Sequence, residues 1–193
     1  MQISQQLVDA ALKFANEQIE QYGLPAKLHL DLSIEKGREI ARALHADENA
    51  VVVGLCLMDC KLGEAFHLNR RNEHVAMGIE ASKKFLQPFN LDQDTIDLLL
   101  NCVAAHHGAV PFTSLEAEIV ANADCYRFIH PIGVLHFIQI LAKREALPHN
   151  EIIDTAEAKL EEKHAIMSLP YVKEQLEPYY QMFKKLFAAA RMG

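Results

Sequence analysis

Apolar residues recur at helical spacing along almost the whole chain, whereas sustained alternation of apolar and polar residues is nearly absent. A helical repeat places apolar side chains on one face of each helix, so the pattern predicts an all-α protein. The chain has 193 residues and 50% of them are hydrophobic, which is enough for a sizeable core. We therefore predict a single compact helical bundle over residues 1–193.

Capping residues and helix breakers divide this pattern into helices. Gly23-Leu24-Pro25 ends a first amphipathic helix that begins near Ile3. The predicted helices cover about 3–22, 29 or 33 to 44, 48–60, 72–86, 92–107, 113–130 and 131–146, and the last ones lie between 150 and 193. The later helix starts are predicted from Asn72, Asp92 and Asn150 as N-caps, from a capping box over 113–116 and from Pro170 in a first turn. Gly108 predicts a left-handed helix end, Pro131 an interruption, and Pro178 a kink or break.

One short polar segment, Leu147–Asn150, separates two helical blocks. The residues after this segment are too few to form a hydrophobic core of their own, so we interpret the segment as a turn. A C-terminal helical extension over about 150–193 is then expected to pack on the same bundle.

The formal net charge is −7 and the basic residues are scattered, which disfavours nucleic acid as the main partner and favours a small molecule. The longest apolar run, Ala50–Met58, is too short to span a bilayer, and the start MQISQQ lacks the features of a signal peptide. We therefore expect a cytoplasmic protein without a membrane partner. The four cysteines form no CxxC pair and are expected to be reduced.

The chain contains ten histidines, and several lie near the ends of predicted helices. Histidine is the commonest protein ligand of metal ions, and helix ends can converge on one cleft. A carboxylate at the C-terminal end of a helix opposes the helix dipole, and one inside an apolar segment such as IVANADCYRF is costly unless paired or bound to metal. These arguments single out six residues: His29, Asp59, His74, His106, His107 and Asp124.

The order of these residues resembles the HD-domain phosphohydrolase superfamily, whose signature is a histidine, a His-Asp doublet, further histidines and a closing aspartate on a helical core. The segments HLDLSIEKGREIARAL, NEHVAMGIEASKKFL, VAAHHG and SLEAEIVANADCYRF are similar to its motif helices. The resemblance implies an HD-domain-like bundle with a motif core over about 29–128 and additional helices at both termini.

One position departs from the family pattern, because Met58 stands where the family has the histidine of its doublet. The resemblance implies that a first divalent ion is held by His29, Asp59 and Asp124. It implies a second ion held by Asp59, His74, His106 and His107. A thioether is a soft and weak donor, so Met58 is not counted as a ligand and the second position is expected to be the tighter one. His67 could replace the missing ligand if it lies near the doublet.

The activity that this resemblance implies is metal-dependent hydrolysis of a small phosphorylated metabolite or nucleotide. Asp59 would be a ligand or a bridge between ions, and Lys61, Arg70 and Arg71 are candidates for binding phosphate oxygens. Two alternatives stay open, namely a degenerate protein that binds a metal or ligand without turnover and a di-iron oxygenase on the same fold. Also open are the metal (Mn, Fe, Co, Ni or Zn), the number of ions (one or two) and the oligomeric state, which could be a homodimer.

Overall fold

A computed structural model of the chain describes residues 3–145 and 147–191, and every regular element in these ranges is helical. The prediction of an all-α fold is therefore confirmed. In chain order the α-helices are α1 (Gln5–Tyr22), α2 (Lys27–Ala43), α3 (Glu48–Met58), α4 (Leu62–His67), α5 (His74–Leu86), α6 (Gln93–Ala105), α7 (Leu115–Ile129), α8 (Pro131–Ile140), α9 (His149–Ile166) and α10 (Pro170–Ala190).

Two helices that are almost entirely buried, α3 and α7, form the centre of the bundle. In α3 every residue over 50–58 is buried, and in α7 the same holds over 119–129. A helix that is buried on all sides is covered by other elements on all sides. Accordingly α7 packs against α2, α3, α6, α8, α9 and α10, and α3 packs against α1, α2, α5 and α6.

The close approach of α3 to its neighbours depends on Gly54. A Cβ atom at this position would lie 2.9 Å from Cβ of Cys102 in α6 and 2.9 Å from Cγ2 of Val120 in α7. With no side chain at Gly54, the three helices pack almost backbone to backbone. The C-terminal ends of α3 and α6 consequently meet, and this junction carries the candidate site.

The terminal helices add to the core on two sides. Leu7, Val8 and Ala11 of α1 join one cluster of buried apolar side chains. The helices α9 and α10 contribute to the other cluster, which contains the apolar face of α7, through Leu160, Val172, Leu176, Phe183 and Phe187. Burial of each such large side chain stabilises the fold by about 1.5–3 kcal/mol. Both termini of the described chain are therefore packed against the motif core.

Most helix boundaries agree with the signals in the sequence. Ser4, Asp47, Asp92 and Ser114 accept hydrogen bonds from backbone N–H groups of the first turns of α1, α3, α6 and α7. Pro131 separates α7 from α8, and Gly108 follows α6 with φ of +70°. Ala146, the predicted end of the seventh helix, lies outside the described residues. All four cysteines are free and buried.

Several boundary predictions are wrong. The capping residue of α7 is Ser114, one position after the predicted capping box begins. Asn150 lies inside α9, whose N-cap is Pro148. A turn of 3₁₀-helix over Arg71–Glu73 precedes α5, so Asn72 is not its N-cap. The helix α4 was not predicted because six residues are too few to display a helical period.

Pro178 does not divide the last helix, since α10 runs from Pro170 to Ala190 with Pro178 inside it. Proline in a helix interior costs about 3 kcal/mol. The buried side chains Leu176 and Phe183 lie on either side of Pro178 and anchor both halves of the helix to the core. Their packing offsets the local cost, which sequence signals alone cannot weigh.

Within residues 3–145 and 147–191, no single helix has both the length and the apolar character needed to cross a membrane. One bent pair, Leu115–Ile129 with Pro131–Lys143, passes this test on length and composition, and the first of these helices is buried in the protein core.

Candidate metal centre

Four side chains with ligand atoms converge where α3, α5 and α6 begin or end. Asp59 caps the C-terminal end of α3, His74 is the first residue of α5, and His106 and His107 follow α6. One ligand atom from each of them lies within 4.8 Å of the others. The structure thus brings together the four residues of the second predicted ion position.

Backbone carbonyl groups orient two of these imidazole rings. Nδ1 of His74 donates to the carbonyl of Arg71 at 2.8 Å, and Nδ1 of His106 donates to the carbonyl of Val103 at 2.7 Å. In a neutral imidazole that donates through Nδ1, the other nitrogen carries a lone pair. Histidines that bind metals commonly donate their second nitrogen to a carbonyl or carboxylate in this way. Both Nε2 atoms are therefore prepared to act as ligands.

The third histidine has a carboxylate beside it. Nδ1 of His107 lies 3.3 Å from Oε1 of Glu162 and 3.2 Å from Nζ of Lys163, both in α9. In the structure Nδ1 of His107 accepts from the ammonium of Lys163. A metal ion at Nε2 would require the proton on Nδ1, and Glu162 is then the nearby group that could accept it.

The donor set fits a divalent metal ion. Nε2 of His74 and Nε2 of His107 lie 3.1 Å apart, and ligand atoms at about 2.0–2.1 Å from one ion are separated by roughly this distance. Nε2 of His106 is fully buried and has no hydrogen-bond partner among the described residues, although it lies 3.5 Å from Oδ1 of Asp59. A buried acceptor without a partner is costly, and an ion would satisfy it. Three imidazole nitrogens and one carboxylate oxygen suit Zn²⁺, Mn²⁺, Fe²⁺, Co²⁺ or Ni²⁺.

The protonation states of the centre also suit an ion. Burial lowers the pKa of His74 and of His107, which keeps both rings neutral at neutral pH. Burial acts against ionisation of Asp59, but the charge of Arg127 and the interactions with His106 and His74 together outweigh it and hold the pKa of this carboxyl well below its ordinary value. Neutral imidazoles and an ionised carboxylate are the forms that bind metals.

A buried ionic cluster lies directly beside this centre. Nη1 of Arg127 is 2.5 Å from Oδ2 of Asp59 and 2.8 Å from Oδ1 of Asp124. Nζ of Lys163 is 2.6 Å from Oδ2 of Asp124. Burial opposes ionisation of Asp124, but Lys163 and Arg127 outweigh it and lower the pKa of this carboxyl. Both oxygens of Asp124 are consequently engaged by cationic side chains.

His29 lies close to this cluster but has other partners. Its Nε2 is 3.1 Å from the carbonyl of Gly133, and its ring packs edge-on against Phe128 and His136. Burial, together with the charge of Arg127, lowers its pKa to about 3. His29 and Asp124 are not among the ligand atoms that the structure groups within the described residues. Their role as ligands of a first ion remains a prediction.

The three basic residues considered for phosphate binding have different surroundings. Lys61 pairs with Glu64 at 2.6 Å and hydrogen bonds to Gln18, and Arg70 is exposed and pairs with Glu73. Arg71 lines the cavity above the four ligands, with no salt bridge found among the described residues. Arg71 is thus the one of the three that faces the candidate centre.

Met58 and His67 do not contribute ligand atoms to this group. Met58 is 1% exposed and packs in the core between α3 and α7. His67 is exposed, and its ring packs against Tyr22 at a centroid distance of 5.6 Å. Oδ2 of Asp59 is contacted by the guanidinium of Arg127 and not by an imidazole.

Sequence reasoning missed Arg127 and Lys163. Arg127 lies three residues after Asp124 in an otherwise apolar segment, so its helical spacing was an available signal for a pair with that carboxylate. Lys163 lies among several other charged residues of α9 and has no such signal. Its burial, at 0% exposure, results from the packing of α9 on α7.

A cavity of about 810 Å³, measured out to its open mouth, leads to the centre. Its polar lining residues include Asp59, His74, His107 and Asp124, with Arg71 and Lys159. Its apolar lining residues include Leu24, Pro25, Leu62, Phe66, Phe128, Phe137 and Ile140. The cavity therefore combines a candidate ion position with an apolar surface.

The fold of the chain is similar to that of a protein whose crystal structure is known. The crystal structure of a predicted HD superfamily hydrolase from an uncultured Thermotogales bacterium matches 90% of this chain and 91% of its own chain, with a TM-score of 0.58 and 19% sequence identity. The chain therefore has the fold of the HD superfamily, as the order of its motifs predicted. No protein-family model matches the sequence.

The chain is also similar in sequence to curated bacterial proteins. Ribonuclease Y of Lactobacillus acidophilus is 30% identical over 152 residues, which are 77% of this chain and 26% of that protein. Ribonuclease Y of Lactobacillus helveticus and of Lactobacillus gasseri are 29% and 28% identical over the same shares. The chain thus spans about a quarter of the length of these relatives.

Proposed function

We propose that this protein is a metal-dependent phosphohydrolase that acts on a small phosphorylated compound. The observation that carries the proposal is the convergence of Asp59, His74, His106 and His107 at the end of a cavity that Arg71 also lines. Imidazoles and a carboxylate bind divalent ions, and a nearby guanidinium binds phosphate oxygens. The HD-superfamily fold and the similarity to Ribonuclease Y support a hydrolase that acts on phosphate esters.

Each group at the centre has a part in this proposal. Asp59 would hold the ion through Oδ1, because its Oδ2 is engaged by Arg127, and the three histidines would complete the protein ligands. A bound divalent ion lowers the pKa of a coordinated water from 15.7 towards about 7 and offsets charge on phosphoryl oxygens. Arg71 would bind the phosphate from the rim of the cavity.

His29 is not suited to donate a proton to the leaving group. Its pKa of about 3 makes it neutral at physiological pH, and its Nε2 is directed at the carbonyl of Gly133. A general acid needs a pKa near the working pH. In this proposal His29 therefore shapes the cavity wall together with Phe128 and Phe137.

The apolar lining of the cavity would bind the organic part of the substrate. Phe66, Phe137 and Ile140 line the same cavity as Arg71. Ligand pockets typically combine such apolar surface with a few convergent polar groups. The net charge of −7 disfavours a long polyanion, so we favour a small phosphate ester.

Cleavage of a phosphodiester in RNA is the second candidate, and it is favoured by the name of the curated relatives, Ribonuclease Y. The same ligands and the same ion chemistry would serve a phosphodiester. The two candidates differ in the substrate that gives turnover, so one assay panel separates them.

The proposal is tested with purified protein in the presence of Mn²⁺, Fe²⁺, Co²⁺, Ni²⁺ or Zn²⁺. The panel contains phosphomonoesters, nucleotides, an aryl phosphodiester and a short RNA. We expect turnover of a small ester that a chelator abolishes and that His106→Ala lowers by at least about 100-fold, because second-shell changes alone cost 10–100-fold. His67→Ala is the matched control and should keep wild-type turnover. Metal-loaded protein that turns over none of these esters would contradict the proposed function.

A further inference from the structure

We propose that this protein holds one divalent ion and that the guanidinium of Arg127 occupies the place of a second. The inference rests on the proposed function, because it assumes that Asp59 and the three histidines hold an ion. It goes further because it assigns the space between Asp59 and Asp124 to the guanidinium of Arg127 and not to an ion.

Distances around Arg127 are the first observation. Its Nη1 atom is 2.5 Å from an oxygen of Asp59 and 2.8 Å from an oxygen of Asp124. Cations that bridge carboxylates lie about 2.0–2.6 Å from their oxygens. Nη1 therefore occupies the space between the two carboxylates that an ion bridging them would need.

The second observation is that both oxygens of Asp124 already contact buried cations. Nη1 of Arg127 engages Oδ1, and Nζ of Lys163 engages Oδ2 at 2.6 Å. Asp59 differs, because only its Oδ2 is engaged, and its Oδ1 lies 3.7 Å from Nε2 of His74 and 3.5 Å from Nε2 of His106. Asp59 thus directs one oxygen at the histidines, whereas both oxygens of Asp124 face cationic side chains.

Charge balance leads to the same conclusion. Asp59, Asp124, Arg127 and Lys163 are all at most 6% exposed, and their formal charges sum to zero. An ion among the histidines adds charge on the side of Asp59 away from Arg127. A further ion between the carboxylates would add charge next to two buried cations, where repulsion is weakly screened.

Arg127 would then be a positioning residue. By holding Oδ2 of Asp59, it turns Oδ1 towards the histidines. Its guanidinium also packs over the ring of Phe128, with Cζ 5.2 Å from the centroid, which restricts its movement. Exclusion of a second ion requires a cationic side chain at this position, which lysine also provides.

The test counts bound ions. Chelator-treated protein is titrated with MnCl₂, and bound Mn²⁺ is measured by elemental analysis and by electron paramagnetic resonance, which distinguishes an isolated ion from a coupled pair. We expect one isolated Mn²⁺ per chain in the wild type and in Arg127→Lys. We expect two coupled ions in Arg127→Ala and in the less disruptive Arg127→Gln, because removal of the charge exposes Asp59 and Asp124 to a second ion. Arg38→Ala, which removes a distant pair with Glu48, should keep one ion.

Wild-type protein with two ions would overturn the inference, even if neither Arg127→Ala nor Arg127→Gln folds. Folded Arg127→Ala or Arg127→Gln with one ion would overturn the assignment of the place to Arg127. Turnover of phosphate esters is measured in parallel. Two ions with turnover contradict this inference alone, one ion without turnover contradicts the proposed function alone, and no ion contradicts both.

Discussion

The carboxylate of Asp59 and the guanidinium of Arg127 form a buried ion pair, with Nη1 2.5 Å from Oδ2, across 68 positions of sequence. The pair connects the end of α3 to the last turn of α7, two helices that are almost entirely buried. It leaves Oδ1 of Asp59 directed at the histidines of α5 and α6. The stability of the fold and the geometry of the candidate metal centre therefore depend on the same contact.

Lys163 is expected to be important for stability. Lys163→Met leaves the buried carboxylate of Asp124 with one cation in place of two, and breaking a buried ion pair costs about 3–5 kcal/mol. We expect the free energy of unfolding to fall by about 3 kcal/mol in a urea titration with chelator present. Lys83→Met removes an exposed pair with Glu80 and should leave the unfolding midpoint unchanged. Equal midpoints for both variants would show that the buried pair contributes nothing.

Arg71 and Arg70 are adjacent and should behave differently. Arg71 lines the cavity, whereas Arg70 is paired with Glu73 at the surface. A hydrogen bond to a charged group contributes about 1.5–3 kcal/mol, so Arg71→Ala should lower kcat/KM for a phosphate ester by roughly tenfold or more. Arg70→Ala should leave kcat/KM near the wild-type value. A larger loss in Arg70→Ala than in Arg71→Ala would place the phosphate elsewhere.

The apolar residues that line the cavity should control substrate affinity. Ile140 lines the cavity at the end of α8, and Ile138 of the same helix packs on the core. Loss of one or more methylene contacts costs about 1–3 kcal/mol, so Ile140→Ala should raise KM by roughly tenfold while kcat changes little. Ile138→Ala makes the same chemical change outside the cavity and should leave KM unaltered. An unchanged KM in both variants would contradict binding of the organic group against Ile140.

His29 should make the fold sensitive to acid. Burial, and then the charge of Arg127, lowers its pKa from 6.5 to about 3. Between these values the unfolded chain binds a proton that the folded chain does not, so stability rises with pH across this window. The contribution is complete above pH 6.5 and is lost as the pH falls towards 3.

His29→Gln keeps a donor for the carbonyl of Gly133 and removes the titrating group. We expect its unfolding free energy, measured with chelator present, to depend less on pH between 6.5 and 3 than that of the wild type. His67→Gln, at an exposed position, should retain the wild-type slope. A wild-type slope in His29→Gln would show that His29 is not the group responsible.

Much of the fold could be predicted from sequence because its signals are local. Apolar periodicity and capping residues such as Asp92 act within a few positions, and the helix that Asp92 predicts is present. Asp59 and His74 could be singled out because each lies at the end of a helix, where side chains from several helices can meet.

The remaining part depends on contacts between distant segments. The pairing of Arg127 with Asp59 and of Lys163 with Asp124 is determined by the packing of α7 on α3 and of α9 on α7. A helical pattern places Arg127 on a face of α7, but it does not indicate which side chain of another helix meets that face. The continuity of α10 through Pro178 has the same origin, since packing of the helix outweighs the local preference.

An anomalous difference map from crystals grown with MnCl₂ will show whether Asp59, His74, His106 and His107 hold the ion. We expect one peak bonded to Oδ1 of Asp59 and to the Nε2 atoms of the three histidines, with Arg127 still between Asp59 and Asp124. A peak between Asp59 and Asp124, or a map with no peak at the histidines, would show that these four residues do not form the metal centre.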